Sequence, residues 1–177
     1  MRRVITGIVA GKSVVLEDGA PAHFHHFAGW PGHAVSVVWA TSSTPSLPIS
    51  GKDEPRPGLI VAPAPGETRL LTVTFPPDSV FSDPGFDGQA YEAEANIYLK
   101  GLIDTFEPDA PGMHRTNSID YAVVIEGEVW LELDDGVETR FGPGDLLVQG
   151  GVRHAWRNKS ESKTTILFVL VGAHAAE

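Results

Sequence analysis

The stretch PGMHRTNSIDYAVVIEGEVWLELDDG, residues 111–136, carries His114, Thr116, Ser118 and Asp120 at every second position. Side chains alternate faces along an extended strand, so one unbroken strand turns an imidazole, two hydroxyls and a carboxylate to the same side. A further imidazole, His154, lies in the segment QGGVRHAWRN, between Gln149 and Trp156. If His114, Asp120 and His154 converge, they form a facial two-histidine, one-carboxylate set with open positions for a substrate and for oxygen or water. A divalent ion such as Fe(II), Mn(II), Zn or Ni suits such a set, as a Lewis acid or as the holder of a reactive water. Thr116 and Ser118 are poor metal ligands but good hydrogen-bond partners. Together with Gln149 and Trp156 they are the expected substrate-binding residues. Each of these positions also has an ordinary structural reading. Asp120 can tie down a strand end, the hydroxyls can belong to a plain strand, and Trp156 can be core.

Several other chemistries find no support. A second group of imidazoles, His23, His25 and His26 in HFHHF with His33 nearby, has no carboxylate at a persuasive spacing. Beside Gly29 and Pro31 it reads as a surface loop, from which one histidine could complete the first site. Nothing resembles a phosphate loop, a GxSxG elbow or an HExxH helix, and Ser160 and Ser162 lack a matched base. There is no cysteine, which excludes disulfides, thiolate nucleophiles and zinc–thiolate sites and suits a reducing, cytoplasmic setting. The net charge of −10 argues against nucleic-acid or anionic-membrane partners and otherwise reads as solubility. No apolar run approaches the ~20 residues of a membrane-spanning helix, and the N-terminal MRRVITGIVAGKSVV reads as a strand pair rather than a leader.

The elements that must position these residues are mostly strands. The 177 residues are 42% hydrophobic, with 19 glycines and 14 prolines spread between short Val/Ile/Leu/Thr-rich runs. That pattern predicts many strands joined by tight turns, hence a sandwich or barrel. Expected strands include VITGIVA and SVVLEDG around a Gly11-Lys12 turn, HAVSVVWATSS (33–43) and TRLLTVTF ending at Pro76-Pro77. From 119 onward come about six more, punctuated by Asp135-Gly136, GPGD (142–145) and Gly150-Gly151. Residues 42–58 are polar and Pro-rich and read as a long loop. Asp87 as a cap, followed by Tyr91, Ala95, Tyr98 or Leu99, and Leu102, predicts one helix within 87–106. It would cover a sheet face or act as a lid.

Two blocks, His114-x-Thr116-x3-Asp120-x6-Gly127 and Gly144-Asp145-x8-His154-x3-Asn158, resemble the two motifs of the cupin family over roughly residues 108–172. The family's first motif has HxH, three or four residues, a glutamate, six residues and a glycine. Here Thr116 stands at the second histidine and Asp120 at the glutamate. The resemblance implies an all-β fold, a jelly-roll or cupin β-barrel with extra N-terminal strands and one helix. Residues 1–107 would supply N-terminal strands, the Pro-rich loop and the helix, and 108–177 the barrel motifs, within one structural domain. It also implies a metal-dependent enzyme acting on a small organic molecule, of oxygenase type, or else a redox-neutral lyase, isomerase or cyclase. A barrel that only binds a small ligand is the non-catalytic alternative. A homodimer is compatible with the family.

Overall fold

The computed structural model describes residues 1–49 and 59–175. Eleven strands and one α-helix are described: β1 (Arg3–Val9), β2 (Lys12–Gly19), β3 (His23–His26), β4 (Ala34–Thr41), β5 (Thr68–Phe75), α1 (Gly88–Tyr98), β6 (Ser118–Glu126), β7 (Val129–Glu132), β8 (Glu138–Phe141), β9 (Leu146–Gly150), β10 (Ala155–Arg157) and β11 (Thr164–Gly172). All pairings are antiparallel. The strands form a six-stranded sheet in the order β3-β4-β5-β11-β6-β9, a three-stranded sheet in the order β10-β7-β8, and the separate hairpin β1-β2. This is an all-β jelly-roll architecture with one helix. Half of the large sheet comes from the first hundred residues, since β5 hydrogen-bonds directly to β11.

The alternation of side chains explains the layering. In β11, TTILFVLVG, every second residue from Thr164 to Gly172 is buried. Ile166, Phe168 and Leu170 meet Val37 of β4, Leu71 of β5, Ala122 and Val124 of β6 and Val129 of β7 in the main core between the two sheets. Each large side chain buried there contributes about 1.5–3 kcal/mol over exposure. A second cluster of Phe27, Val35, Ala95 and Leu99 fixes α1 against β4. The outer face of β6 and edge strand β9 leaves Ile119, Tyr121, Leu146 and Val148 exposed.

Turns fall where the sequence marks them. Ala10 and Gly11 take positive φ between β1 and β2. Gly127, between β6 and β7, has φ +79°, and a Cβ there would lie 2.4 Å from the Lys163 carbonyl oxygen. Only glycine fits that crossing of the β6–β7 turn over the start of β11. Asp87 caps α1 by accepting from the backbone N–H groups of Gln89 and Ala90, both at 3.0 Å. The helix is shorter than the 87–106 span, because a short 3₁₀ turn replaces it at Ile103–Thr105. The Pro-rich stretch is irregular over 42–49, and its remainder lies outside the described residues. Among the described residues, no helix is long and apolar enough to cross a membrane.

Candidate functional site

The polar positions of the 111–136 stretch do face inward. His114, Thr116, Ser118 and Asp120 are all buried, while Arg115, Asn117 and Ile119 between them are exposed. The strand is not continuous, however. β6 begins at Ser118, and His114 sits in isolated bridges to Phe106 and His154. The His114 and His154 backbones exchange hydrogen bonds of 2.9 and 3.0 Å. That reciprocal pair sets the two imidazoles side by side, with ring centroids 4.2 Å apart. Phe106 stacks flat on the other side of His114, at 4.3 Å and 9°.

Backbone carbonyls decide how the rings are protonated. A carbonyl oxygen can only accept, so the ring nitrogen facing it carries the proton. His114 Nδ1 donates to the Gly112 carbonyl at 3.0 Å, and His154 Nδ1 donates to the Val152 carbonyl at 2.9 Å. Both neutral rings therefore keep Nε2 as the acceptor. The two differ in what Nε2 meets. The Gln149 amide nitrogen lies against the His154 ring, 2.9 Å from Nε2 and 3.0 Å from Nδ1. His114 Nε2 has no partner among the described residues. Burial pushes the His114 pKa down, and burial together with the neighbouring His114 pushes His154 down to about 4.

Asp120 lies opposite Gln149 across the β6–β9 ladder. Burial raises its pKa, and contact with the Ser118 hydroxyl partly offsets the rise. Asp120 Oδ1 and Gln149 Oε1 are both buried without a donor among the described residues. Ser118 Oγ in turn lies 2.9 Å from Thr116 Oγ1.

His114, Asp120 and His154 all line one cavity of about 610 Å³. They do not assemble into the three-donor metal set expected from sequence. Among the described residues, no three His, Asp, Glu or Cys side chains are arranged to hold an ion. The physical reason is local. The Gln149 amide lies against both nitrogens of the His154 ring, and the two imidazoles pack against one another. The donors as they stand do not fit a resident Fe, Mn, Zn or Ni ion. Of the four expected substrate-binding residues, Thr116 and Trp156 line the cavity. Ser118 and Gln149 are not among its lining residues; they position Asp120, Thr116 and His154 from behind. Trp156 also packs on Phe168 in the core, at 5.5 Å. Asn158 of the second motif is structural. Its amide donates to the Phe75 and Ser162 carbonyls, and its oxygen accepts from Ser160.

The histidine-rich segment departs from the surface-loop expectation. His23, His25 and His26 belong to β3, and His25 Nε2 is 2.6 Å from Glu94 on α1 while its ring stacks on Tyr98. His33 is 3% exposed and lines the same cavity as His114. It donates from Nδ1 to the Thr74 carbonyl at 2.9 Å and stacks on Trp30 at 4.2 Å. Burial takes its pKa down to about 3. Around it stand Phe75, Phe81, Phe86 and Tyr91, which sequence reasoning did not assign to the site. Only Tyr91 had a signal, its helical spacing. Gly29 allows α1 to close this end, since a Cβ there would lie 2.2 Å from the Tyr91 backbone nitrogen.

Comparison with known proteins fits this geometry. The family model for the cupin domain matches residues 103–170, which contain both motifs. The phomopsin biosynthesis cluster protein D of Diaporthe leptostromiformis is 52% identical over 71 residues, 37% of this chain and 38% of that protein. The cupin-domain-containing oxidoreductase fogC of Aspergillus ruber is 38% identical over 90 residues, 46% of this chain and 44% of that protein. The matched segments thus span less than half the length of these relatives. Among solved structures, a putative ethanolamine utilization protein Q from Salmonella typhimurium LT2 aligns over 98% of both chains with a TM-score of 0.45 and 11% identity. The matched segment and its two motifs identify residues 103–170 as a cupin domain.

Proposed function

We propose that the chain is an enzyme that moves protons on a small organic molecule held in the 610 Å³ cavity, a redox-neutral isomerase, lyase or cyclase. One observation carries this reading. The same cavity is lined by a neutral imidazole with a free Nε2, His114, and by a carboxyl group whose pKa burial raises, Asp120. Environments that push the pKa values of two groups in opposite directions suit them to act as base and acid near neutral pH. In the forward step His114 Nε2 takes a proton from the substrate and the Asp120 carboxyl gives one to another atom of it. The reverse exchange between solvent and the two groups restores both, so no oxidant is needed. His154 and Phe106 fix the His114 ring, and Thr116 can hydrogen-bond the substrate.

A second reading is a metal-dependent oxidoreductase, favoured by the names of relatives such as those from Aspergillus ruber and Neurospora crassa. It requires the imidazole pair to be rearranged around an added ion.

The test is incubation of the protein with a panel of uncharged carbonyl and phenol compounds in D2O. Deuterium incorporation is read by mass spectrometry and oxygen uptake by electrode, with and without exhaustive chelation. The expected result is incorporation that survives chelation without oxygen uptake and is lost in His114→Ala. Turnover that appears only after loading with Fe(II) or Mn(II) and consumes oxygen overturns the proton-transfer reading in favour of the second.

A further inference from the structure

The cavity has two chemically distinct ends, and the proposed proton chemistry uses only one. The other is walled by aromatic rings from separate elements: Trp30 before β4, Phe75 at the end of β5, Phe81 and Phe86 before α1, and Tyr91 within it. Edge and face contacts among them, such as Trp30 to Phe81 at 5.2 Å and Trp30 to Tyr91 at 5.1 Å, leave flat apolar surfaces suited to a planar guest. One polar side chain is built into this wall. His33 is 97% buried, its Nδ1 proton is held by the Thr74 carbonyl, and its Nε2 has no partner among the described residues. Beside it, the Trp30 Nε1–H is buried and also lacks a partner. A buried donor without a partner, such as the Trp30 N–H, is costly unless something else supplies the missing bond, and the His33 Nε2 is available as an acceptor beside it.

Charge narrows the guest. The cationic side chain lining the cavity, Arg157, is already committed to Glu132 at 2.6 Å and to the Pro111 carbonyl at 2.9 Å. Asp78 at the wall accepts from the Asn158 backbone N–H and faces the charges of Arg157 and Lys159. Arg157 and Asp78 are both compensated, so an ionic ligand gains nothing from them and loses its hydration.

We infer that this end is a subsite for an uncharged aromatic ring bearing a hydroxyl, whose proton is accepted by His33 Nε2. The hydroxyl oxygen is free to accept from Trp30 Nε1, so one group satisfies both. The inference rests on the cavity proposed above as the place of reaction, and it names the substrate class: a phenol or aryl alcohol whose ring is gripped here while its reacting atoms reach His114 and Asp120. His33 acts as a specificity residue rather than as the acid or base of the reaction.

The test uses four probes on the full chain at neutral pH: 2-naphthol, 2-methoxynaphthalene, naphthalene and the ammonium form of 2-(aminomethyl)naphthalene. Binding is read by quenching of tryptophan fluorescence and confirmed by calorimetry. The expected result is that 2-naphthol binds about ten-fold tighter than the methoxy compound and naphthalene, which cannot donate to His33. In His33→Phe, which keeps a stacked ring and removes the acceptor, that preference falls to within about two-fold while naphthalene binding is unchanged. Equal binding of 2-naphthol and 2-methoxynaphthalene by the wild type overturns the inference, even should His33→Phe misfold. So does a ten-fold preference retained in a folded His33→Phe, or tighter binding of the ammonium probe. Loss of the deuterium exchange described above with the naphthol preference intact defeats the proposed chemistry and leaves the subsite standing. Failure of every probe to bind overturns both.

Discussion

His33 and His114 are the same device placed in two different surroundings. Each is a buried imidazole whose Nδ1 proton is held by a backbone carbonyl and whose Nε2 is left as an acceptor. His114 stands in a polar corner with a second imidazole, a carboxyl and two hydroxyls within two strands of it. His33 stands among aromatic rings, with Trp30 stacked on it. The difference teaches that a fixed tautomer alone does not make a reactive base. What distinguishes the two ends is whether a partner able to give a proton back lines the cavity nearby. Asp120 does so for His114, whereas the other carboxyl lining the cavity, Asp78, is engaged by the Asn158 backbone N–H.

The largest effect that can break this contrast is catalytic. His114→Ala is expected to lower kcat/KM by about 10²–10⁴, the usual contribution of a positioned base, with the loss in kcat. His33→Phe is expected to raise KM about ten-fold and leave kcat nearly unchanged, because it removes binding rather than proton transfer. Steady-state kinetics on the substrate found by the deuterium screen checks both. If the two variants lose kcat equally, the cavity has no division of labour.

The legibility of the sequence follows the same division. The polar corner was readable because period-two spacing puts His114, Thr116, Ser118 and Asp120 on one face, and the structure buries all four. The strand runs, the Asp87 cap and the turn glycines were readable for the equally local reason that turns and caps are set by neighbouring residues. The aromatic end was not. Trp30, Phe75, Phe81 and Tyr91 come from a loop, a strand end, a 3₁₀ turn and a helix, and only tertiary packing brings them together. His33 was noticed as one of a histidine group, yet nothing in HFHHF and its flanks distinguishes it from His26, which is exposed. The arrangement of the three expected donors was illegible for a similar reason. Spacing placed His154 in the barrel but could not show that the Gln149 amide of β9 lies against its ring.

Two glycines test whether the ends are mechanically separate. Gly127→Ala drives a Cβ to 2.4 Å from the Lys163 carbonyl at φ +79°, in the turn that holds β6 and β7 over β11. It is expected to cost about 3 kcal/mol or more of global stability by denaturant unfolding, since backbone must move. Gly29→Ala meets the Tyr91 nitrogen at 2.2 Å, but there the moving partner is α1 rather than the main sheets. The expected outcome is a smaller loss of about 1–2 kcal/mol, with naphthol affinity reduced and His114-dependent exchange retained on small substrates. Equal global destabilisation by both would show that the aromatic end is part of the same cooperative core.

The buried imidazoles also give the protein an acid-side weakness. His33, with a pKa of about 3, and His154, at about 4, stay neutral in the folded chain, whereas in the unfolded chain both protonate near 6.5. Below about 6.5 the unfolded state therefore binds more protons, and stability falls as pH drops from there toward the folded values. The slope is about 1.4 kcal/mol per pH unit for each imidazole. Asp120, whose pKa burial raises, acts in the opposite sense at low pH and softens the fall. Chemical denaturation between pH 7 and 5 measures the slope. His33→Phe and His154→Gln should each remove one imidazole's share, and His114, also pushed down by burial, keeps its own in both. A flat profile in the wild type would mean that the two rings are not held neutral as described.

The smallest expected effect bears on the polar end alone. The Gln149 amide nitrogen lies within 3.0 Å of both His154 ring nitrogens, and the residue sits across the ladder from Asp120. Gln149→Ala uncaps His154 and leaves His114, His154 and Asp120 around a space the amide had filled. The expected outcome is that Zn or Co(II), titrated by calorimetry or by visible absorption for Co(II), binds the variant about ten-fold tighter than the wild type, an effect of the size seen when groups around ligating histidines are changed. The aromatic end supplies the control, because Trp30→Phe should leave ion binding unchanged. If the wild type already binds as tightly as Gln149→Ala, the amide is displaced by the ion at little cost. The polar corner is then a metal site in waiting, and the contrast between the two ends becomes one between a coordinating and a non-coordinating imidazole.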